Sequence, residues 1–220
     1  LQSDAIINAA DHFWKNDTAE DGRGLVDHYV DMWRHLAARF ARHTNIIGFE
    51  PMNEPFMGSI ARSAFGLAGE RVKQQYPDFD LATQKGINEE TQTLFSSVVS
   101  DMLIEFDRKT LMPFYSRIND AIREVCDIAI VTGGNIYCSS RFPTGISRVK
   151  RADGSEESQQ IYGPHGYDAV VNSDHYEMFN KDSVEQMFAD KRRTQQELNA
   201  PVVVGEWGAF PSRDFTNSLI

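Results

Sequence analysis

The sequence lacks both of the segments that would tie a protein to a membrane during or after synthesis. No apolar run approaches the about 20 residues that a membrane-spanning helix needs, and the first residues, LQSDA, do not form the charged region and apolar core of a signal peptide. We therefore predict neither a spanning helix nor a signal peptide within these 220 residues.

Basic residues are also scarce. The chain has 22 Lys and Arg against 32 Asp and Glu, a net charge of −10, and no basic stripe. Such a surface cannot neutralise a phosphate backbone, so nucleic acid is not expected as a partner.

The chain has only two cysteines and three tryptophans. Cys126 and Cys138 flank the apolar run 128–131, and a strand there would hold them too far apart for a disulfide, so we predict two unpaired thiols. One sequon, Asn16-Asp-Thr18, is compatible with a secreted protein.

What the chain does contain is an alternation of helical and strand patterns. Residues 25–40 have apolar side chains at three- and four-residue spacing, which predicts an amphipathic helix. The apolar run NIIGFEPM that follows predicts a strand buried on both faces, as in parallel sheets.

The same alternation continues to the end of the chain. Residues 89–125 predict a long helix interrupted near Pro113, and DIAIVTGG predicts a strand. QQIYGPHGYD is a weaker strand candidate, DSVEQMFADKRRTQQEL is a helix, and PVVVGEW is the clearest buried strand. This order predicts an α/β fold with a parallel sheet, with insertions at 61–86 and 148–158.

Polar residues stand where three of these strands end. They are Asn53 with Glu54, His165 with Tyr167, and Glu206 with Trp207. In a (β/α)8 barrel the carboxyl ends of the strands face one mouth, where residues are catalytic rather than structural. Two carboxylates that meet there are what glycoside hydrolysis requires.

Each residue also has a simpler interpretation. Glu54 could be a carboxylate at a helix N-terminus, and His165 could be a buried histidine bonded to the backbone. A metal site of His165 and His175 with Asp168 or Asp174 is disfavoured, because the spacing matches no compact zinc pattern. Glu206 has a weaker alternative, because an ionised side chain after Val-Val-Val-Gly is costly unless it is paired or at a mouth.

Several segments resemble known glycoside hydrolases. GFEPMNEPF, PHGYD and VVVGEWGAF are similar to the signature segments of glycoside hydrolase family 5, whose members are retaining enzymes with a TIM barrel. HFWKN, LVDHYVDMWRHLAARFA, MNEPFMGS, LMPFYSRINDAIREV and PHGYDAVV resemble the endoglycoceramidase branch, which cleaves the glycan from the ceramide of glycosphingolipids.

The resemblance implies roles for individual residues. Glu54 matches the general acid/base after the fourth strand, and Glu206 matches the nucleophile after the seventh. Asn53 matches the asparagine that holds the 2-hydroxyl of the sugar, and His165 and Tyr167 match the pair after the sixth strand that lines the same subsite. We also expect Trp207 to contact the substrate.

The resemblance covers only about half a barrel. Residues 1–220 are expected to form a partial TIM-barrel catalytic domain containing roughly strands four to seven. Four strands would leave open edges, so the missing strands should come from the rest of a longer chain or from another chain.

The expected function is a retaining β-glycosidase acting on glycolipid, with no metal and no organic cofactor. The apolar segment FMGSIARSAFGLAG follows Glu54 and is expected either to accommodate the lipid tail of the substrate or to form a satellite core. Peripheral contact with membrane lipid is also expected. The alternatives are a family 5 β-glucanase or other β-glycosidase on polysaccharide, and a sugar- or lipid-binding fragment without turnover. The family's substrates predict a secreted or extracellular location.

Overall fold

Helices and short strands alternate along the chain, as the sequence predicts. A computed structural model describes residues 3–80, 85–86, 88–172 and 179–208. Its helices are α1 (Asp4–Trp14), α2 (Leu25–Phe40), α3 (Ser59–Gln75), α4 (Glu89–Phe106), α5 (Met112–Arg123) and α6 (Lys181–Leu198). Its strands are β1 (Gly48–Phe49), β2 (Ala129–Thr132), β3 (Gln160–Tyr162), β4 (His165–Gly166) and β5 (Glu206–Trp207). Within these described ranges, no helix combines the length and the apolar character needed to cross a bilayer.

The predicted helices are confirmed, and their ends have local causes. Helix α2 has the predicted bounds and buries Val26, Val30 and Ala37. Asn180 precedes α6 as its N-cap, and its side chain accepts a hydrogen bond from the Ser183 amide and so satisfies one free N–H of the first turn. Helix α1, which the periodicity did not identify, precedes them.

The predicted interruption near Pro113 is a π-helical turn, Asp107–Leu111, between α4 and α5. Proline has no N–H, and its ring crowds the carbonyl four residues earlier. The wider turn removes this conflict, and the Met112 amide bonds to the Asp107 carbonyl, five residues back. The side chain of Asp107 is thereby fully buried.

The strands lie side by side in chain order, and all of the paired strands are parallel. Strand β2 pairs with β1 (Phe49↔Ile130) and with β3 (Val131↔Ile161), and β4 pairs with β5 (His165↔Glu206). An isolated parallel bridge, Tyr162↔Val202, joins the path of β3 to the segment before β5. The weak candidate QQIYGPHGYD therefore does supply strand structure, and the four paths form an arc in which all carboxyl ends share one edge.

One face of this arc is only partly covered. Ile130 is fully buried, but Ile47 is 70% exposed, and Val202, Val203 and Val204 are 39–41% exposed. PVVVGEW is therefore only partly buried within residues 1–220, which agrees with the expectation that these residues form part of a barrel.

Both predicted insertions contain regular structure. Most of 61–86 forms α3, whose Ala61, Ala64 and Ala68 are buried where it packs against α4, so this part of the apolar segment is core. Residues 81–84 and 87 lie outside the described residues. The segment 148–158 forms an antiparallel bridge, Lys150↔Glu156.

Cys126 and Cys138 are both free, as predicted. The sequon asparagine already has a structural role. The Asn16 oxygen accepts hydrogen bonds from the amides of Val26 and Asp27, and its side-chain nitrogen donates to the Asp27 carboxylate. A glycan on that nitrogen would compete with this contact at the start of α2.

A buried ion pair holds the opposite edge of the arc, where the strands begin. Glu157 and Arg123 are 2.8 Å apart, with side chains 1% and 7% exposed. Arg123 also donates to the carbonyls of Cys126 and Ile128, directly before β2. Burial acts to raise the pKa of Glu157, but hydrogen bonds, led by that from Arg123, leave it below the usual 4.5.

We predict that Glu157→Gln destabilises the complete protein by about 3–5 kcal/mol, because it leaves the buried Arg123 charge unpaired. Since the folded pKa of Glu157 is lowered, its contribution is present above the unfolded pKa and is lost as pH falls through the folded value. Urea unfolding at neutral and acidic pH measures both effects. The neighbouring Glu156→Gln, in an exposed pair with Lys150, is the control and should change almost nothing; an equal loss in both variants would contradict the assignment.

The exposed valines generate a second prediction. A polypeptide of residues 1–220 alone should bind a hydrophobic dye or aggregate, since each large apolar side chain left in water forgoes about 1.5–3 kcal/mol. Supplying the missing strands should abolish dye binding. A monomeric, cooperative unfolding transition of the isolated piece without dye binding would contradict this architecture.

Candidate active site

Glu54 lies in a strained turn after β1. Its φ of +44° is in the left-handed region, which non-glycine residues seldom adopt and which costs on the order of 1–3 kcal/mol. Helix α3 begins only at Ser59, so Glu54 is not in its first turn and the helix-terminus interpretation does not apply. Strain of this kind persists only where the surroundings hold the backbone in place.

Three aromatic donors from α1 and α2 hold this turn. The Tyr29 hydroxyl and the Trp33 indole N–H both donate to the Pro51 carbonyl, at 2.6 and 3.2 Å. The Trp14 indole N–H donates to the Phe56 carbonyl at 2.7 Å. The turn is therefore fixed on both sides of Glu54 by large, partly buried rings.

His165 joins the two predicted catalytic carboxylates. It is 6% exposed, and its Nδ1 lies 3.0 Å from Oε1 of Glu54 and 3.5 Å from Oε2 of Glu206. One oxygen of each glutamate and a ring nitrogen of His165 all lie within 4.8 Å of one another. The fold thus brings together two glutamates that are 152 positions apart in the sequence. The His165 ring is hydrogen-bonded to a carboxylate rather than to the backbone.

Tyr167 contacts only the second carboxylate. Its hydroxyl donates to Oε2 of Glu206 at 2.9 Å. Burial, this hydrogen bond and the charges of Glu206 and Glu54 raise the pKa of Tyr167 to about 12, so the phenol keeps its proton and remains a donor. A donor of this kind favours the ionised form of the carboxylate that accepts from it.

A third carboxylate, Glu50, belongs to the same site and was missed from the sequence. Its Oε1 lies 3.8 Å from Nε2 of His165. Partial burial raises its pKa, the charge of Glu206 adds to this, and His165 opposes it. The sequence feature that could have identified Glu50 is its charge inside the apolar run GFEPM, one position after the paired residues of β1.

Glu50, Glu54 and His165 line a narrow cleft with a free volume of about 20 Å³, and Glu206 and Tyr167 lie outside its lining. Its walls come from the turn after β1, the glycines after β2, and the segment from Tyr162 to His165. Asn135, Cys138 and Ser139 complete the lining. This volume holds about one water molecule, so what the arrangement supports is acid–base chemistry by carboxylates at the carboxyl ends of parallel strands.

Two predicted binding residues lie outside this cluster. Asn53 is exposed and does not line the cleft. Trp207 is 53% exposed and pairs with Gly166, whose missing Cβ would point into Phe188 of α6 at 2.3 Å. Because paired residues share a face of the sheet, Trp207 points toward the helix layer and away from Glu206. A role for either residue in substrate binding remains a prediction.

Glu54, His165 and Glu206 could also present ligand atoms to a metal ion. The hydrogen bond between His165 and Glu54, and that from Tyr167 to Glu206, account for these atoms without one. In the metal alternative weighed from the sequence, Asp174 and His175 lie outside the described residues. The absence of a metal and of a cofactor remains a prediction.

Parallel strands in chain order, with a carboxylate pair where they end, are the arrangement of a glycoside hydrolase with an α/β barrel. The chain belongs to glycosyl hydrolase family 5, since the family model described as cellulase (glycosyl hydrolase family 5) matches residues 2–217. The fold is therefore a (β/α)8 TIM barrel, of which the described strands form one arc.

Relatives support the predicted branch. An endoglycoceramidase of Cyanea nozakii is 30% identical over 103 residues, which cover 45% of this chain and 20% of that protein. Endo-glycoceramidase II from Rhodococcus sp. has a similar fold. Its ganglioside GM3 complex gives a TM-score of 0.66 at 20% identity, over 97% of this chain and 40% of that one. Its lactosyl-enzyme intermediate gives 0.62 at 22% identity, over 96% and 39%. The chain thus spans about two fifths of these structures.

The contact between Tyr167 and Glu206 can be measured without substrate. In the complete protein labelled at the tyrosine ring carbons, we expect Tyr167 to titrate by NMR at about 12. In Glu206→Gln it should titrate at lower pH, because the neighbouring charge is gone while burial remains. The control is Glu90→Gln, which should shift Tyr76, its hydrogen-bond partner, and leave Tyr167 unchanged. A Tyr167 pKa that does not respond to Glu206→Gln would contradict the contact.

Proposed function

We propose that the complete protein is a retaining β-glycosidase that releases the glycan of glycosphingolipids. The observation that carries the proposal is the approach of the Glu54 and Glu206 carboxylates to within 4.8 Å. Retaining glycosidases hold their two carboxyl groups about 5–5.5 Å apart, whereas inverting enzymes leave roughly 6.5–9.5 Å for a water molecule.

The proposed reaction has two steps. Glu206 attacks the anomeric carbon while Glu54 gives its proton to the departing glycosidic oxygen, so that a glycosyl–Glu206 ester forms and the alcohol leaves. Glu54 then takes a proton from water, which attacks the same carbon and releases Glu206 as a carboxylate. The lactosyl-enzyme intermediate of the Rhodococcus relative is in keeping with such an ester.

The surrounding residues would divide these duties. The Tyr167 hydroxyl, 2.9 Å from Glu206, favours the ionised carboxylate that attacks. His165, 3.0 Å from Glu54, can hold the proton-bearing carboxyl in place. Asn53 is proposed to contact the sugar once the complete barrel surrounds it.

The glycolipid substrate rests on the endoglycoceramidase relatives and on the position of α3. This helix starts five residues after Glu54, on the proposed leaving-group side, and exposes Ile60 and Leu67 at 36% and 52%. We propose that these side chains meet the lipid part of the substrate or the membrane surface around it. A secreted or extracellular location follows from that substrate and is likewise a proposal.

A β-glucan is the second candidate, because the matching family model is described as cellulase. Hydrolysis of a fluorescent glycosphingolipid and of a soluble β-glucan by the complete protein would separate the two. Faster turnover of the glucan would select the alternative, and binding without turnover of either would favour a non-catalytic protein.

Variants of the two glutamates test the mechanism. Glu206→Gln should abolish the covalent intermediate detected by mass spectrometry. Glu54→Gln should slow the glycolipid by about 10²–10⁴-fold, the usual contribution of a general acid. It should still form the intermediate from an aryl glycoside whose leaving group needs no proton.

Glu156→Gln, exposed at the edge of the arc where the strands begin, is the matched control and should retain full activity. The acid assignment would be wrong if Glu54→Gln and Glu206→Gln lost the first step equally on the activated substrate.

A further inference from the structure

We infer that Asp107 is a positioning residue of the proposed active site. It fixes the loop 133–145 after β2, and that loop sets the spacing between Glu54 and Glu206. The inference rests on the proposed glycosidase function but concerns a carboxylate that lies outside the cleft.

Hydrogen bonds from both ends of the loop converge on the buried carboxylate of Asp107. Its Oδ1 accepts from the backbone amide and the side-chain nitrogen of Asn135, at 3.2 and 2.9 Å. Its Oδ2 accepts from the Thr144 hydroxyl at 2.7 Å and the Gly145 amide at 2.9 Å, with the Cys138 thiol 3.9 Å away. Both ends of a ten-residue span are therefore tied to a single side chain.

This arrangement is costly for stability. Asp107 is fully buried, and the partners that the described residues give it are all uncharged. Burial raises its pKa even though four hydrogen bonds oppose the shift. A buried anion without a cation is a poor device for stability, so the geometry that it enforces is the better explanation for it.

The tied loop connects the two catalytic carboxylates. At its start, the Ile136 amide donates to the carbonyl of Pro55, the residue after Glu54, at 3.1 Å. Three residues later, the Ser139 carbonyl accepts from the Tyr167 amide at 2.7 Å. Tyr167 in turn bonds to Glu206. Displacement of the loop would therefore move the supports of both glutamates.

The loop has little freedom to adjust. Lys191 of α6 donates through Nζ to the carbonyls of Cys138 and Ser140, at 2.7 and 3.2 Å. At the other end, a Cβ on Gly145 would lie 2.3 Å from the Ile104 carbonyl oxygen of α4. With these contacts on two sides, Asp107 is the element that holds Asn135 and Thr144 in register with each other.

The test compares two buried carboxylates at opposite ends of the strands. Asp107→Asn keeps the size of the side chain but places an N–H group against donors. Glu157→Gln disturbs the buried ion pair at the ends where the strands begin, away from the cleft. Both variants are made in the complete protein and are assayed well below their unfolding temperatures, with activity expressed per folded molecule.

We expect Asp107→Asn to lower kcat by about tenfold to a hundredfold, the scale of a misplacement of roughly 1 Å, with a smaller change in KM. Hydrogen exchange of the peptides covering 133–145 should accelerate. Glu157→Gln should keep kcat within about twofold and leave exchange of this loop unchanged relative to the rest of the protein. If Asp107→Asn does not fold, Thr144→Val removes one donor and should change kcat and loop exchange in the same direction by a smaller factor.

Normal loop exchange and unchanged kcat in the Asp107 or Thr144 variant would overturn this inference but leave the proposed function standing. An equal loss of kcat in Glu157→Gln would also overturn it, because the effect would then be one of stability. Absence of glycosidase activity in the wild-type protein would overturn the proposed function and the positioning role of Asp107 with it. Accelerated loop exchange in Asp107→Asn would then show only that Asp107 holds the loop in place.

Discussion

The candidate site depends on the hydrogen bonds that hold the strained turn carrying Glu54. Left-handed backbone at a glutamate is unfavourable, and it is retained here because Trp14, Tyr29 and Trp33 donate to carbonyls on both sides of it. These donors belong to α1 and α2, so the packing of the two helices against the core fixes the direction in which the Glu54 carboxylate points. The rings of Tyr29 and Trp14 pack edge-to-face with Phe13 and Phe114, respectively, which limits their movement.

Three carboxylates converge on one imidazole ring at the site. Carboxylates from β5 and from the segment after β1 surround His165, at 3.0, 3.5 and 3.8 Å. Tyr167 contacts only Glu206, which makes the surroundings of the two predicted catalytic glutamates different. Chemically identical side chains can take different roles in catalysis when their neighbours differ in this way.

The two edges of the arc use buried charge for different purposes. Where the strands begin, Glu157 is neutralised by Arg123, and the pair joins α5 to the strand that follows. Where they end, Asp107 has uncharged partners and holds a loop of the cleft. This division matches the general property of (β/α)8 barrels that one end supplies stability and the other carries the chemistry.

Local patterns were sufficient for most of the scaffold. Periodicity fixed α2 and α6, Pro113 marked the π-helical turn, and Asn-Glu, His-Gly-Tyr and Glu-Trp identified the strand ends. The apolar run Val202–Val204 predicted a strand, and its partial exposure agrees with the expected half barrel, although an apolar run does not report how much covering layer is present. Trp207 was assigned to the site from its neighbour Glu206, although alternation along a strand turns the two apart.

What the sequence by itself determined is therefore the family, the alternating order of elements and the residues that stand at the strand ends. Only the tertiary structure decided that Glu50 lies beside His165 and that Asp107 is buried without a cation. It also decided that Glu54 and Glu206, 152 positions apart in the sequence, lie close together. The physical reason is that periodicity and turn residues act within a few positions, whereas distances between side chains on different strands are set by sheet register and helix packing.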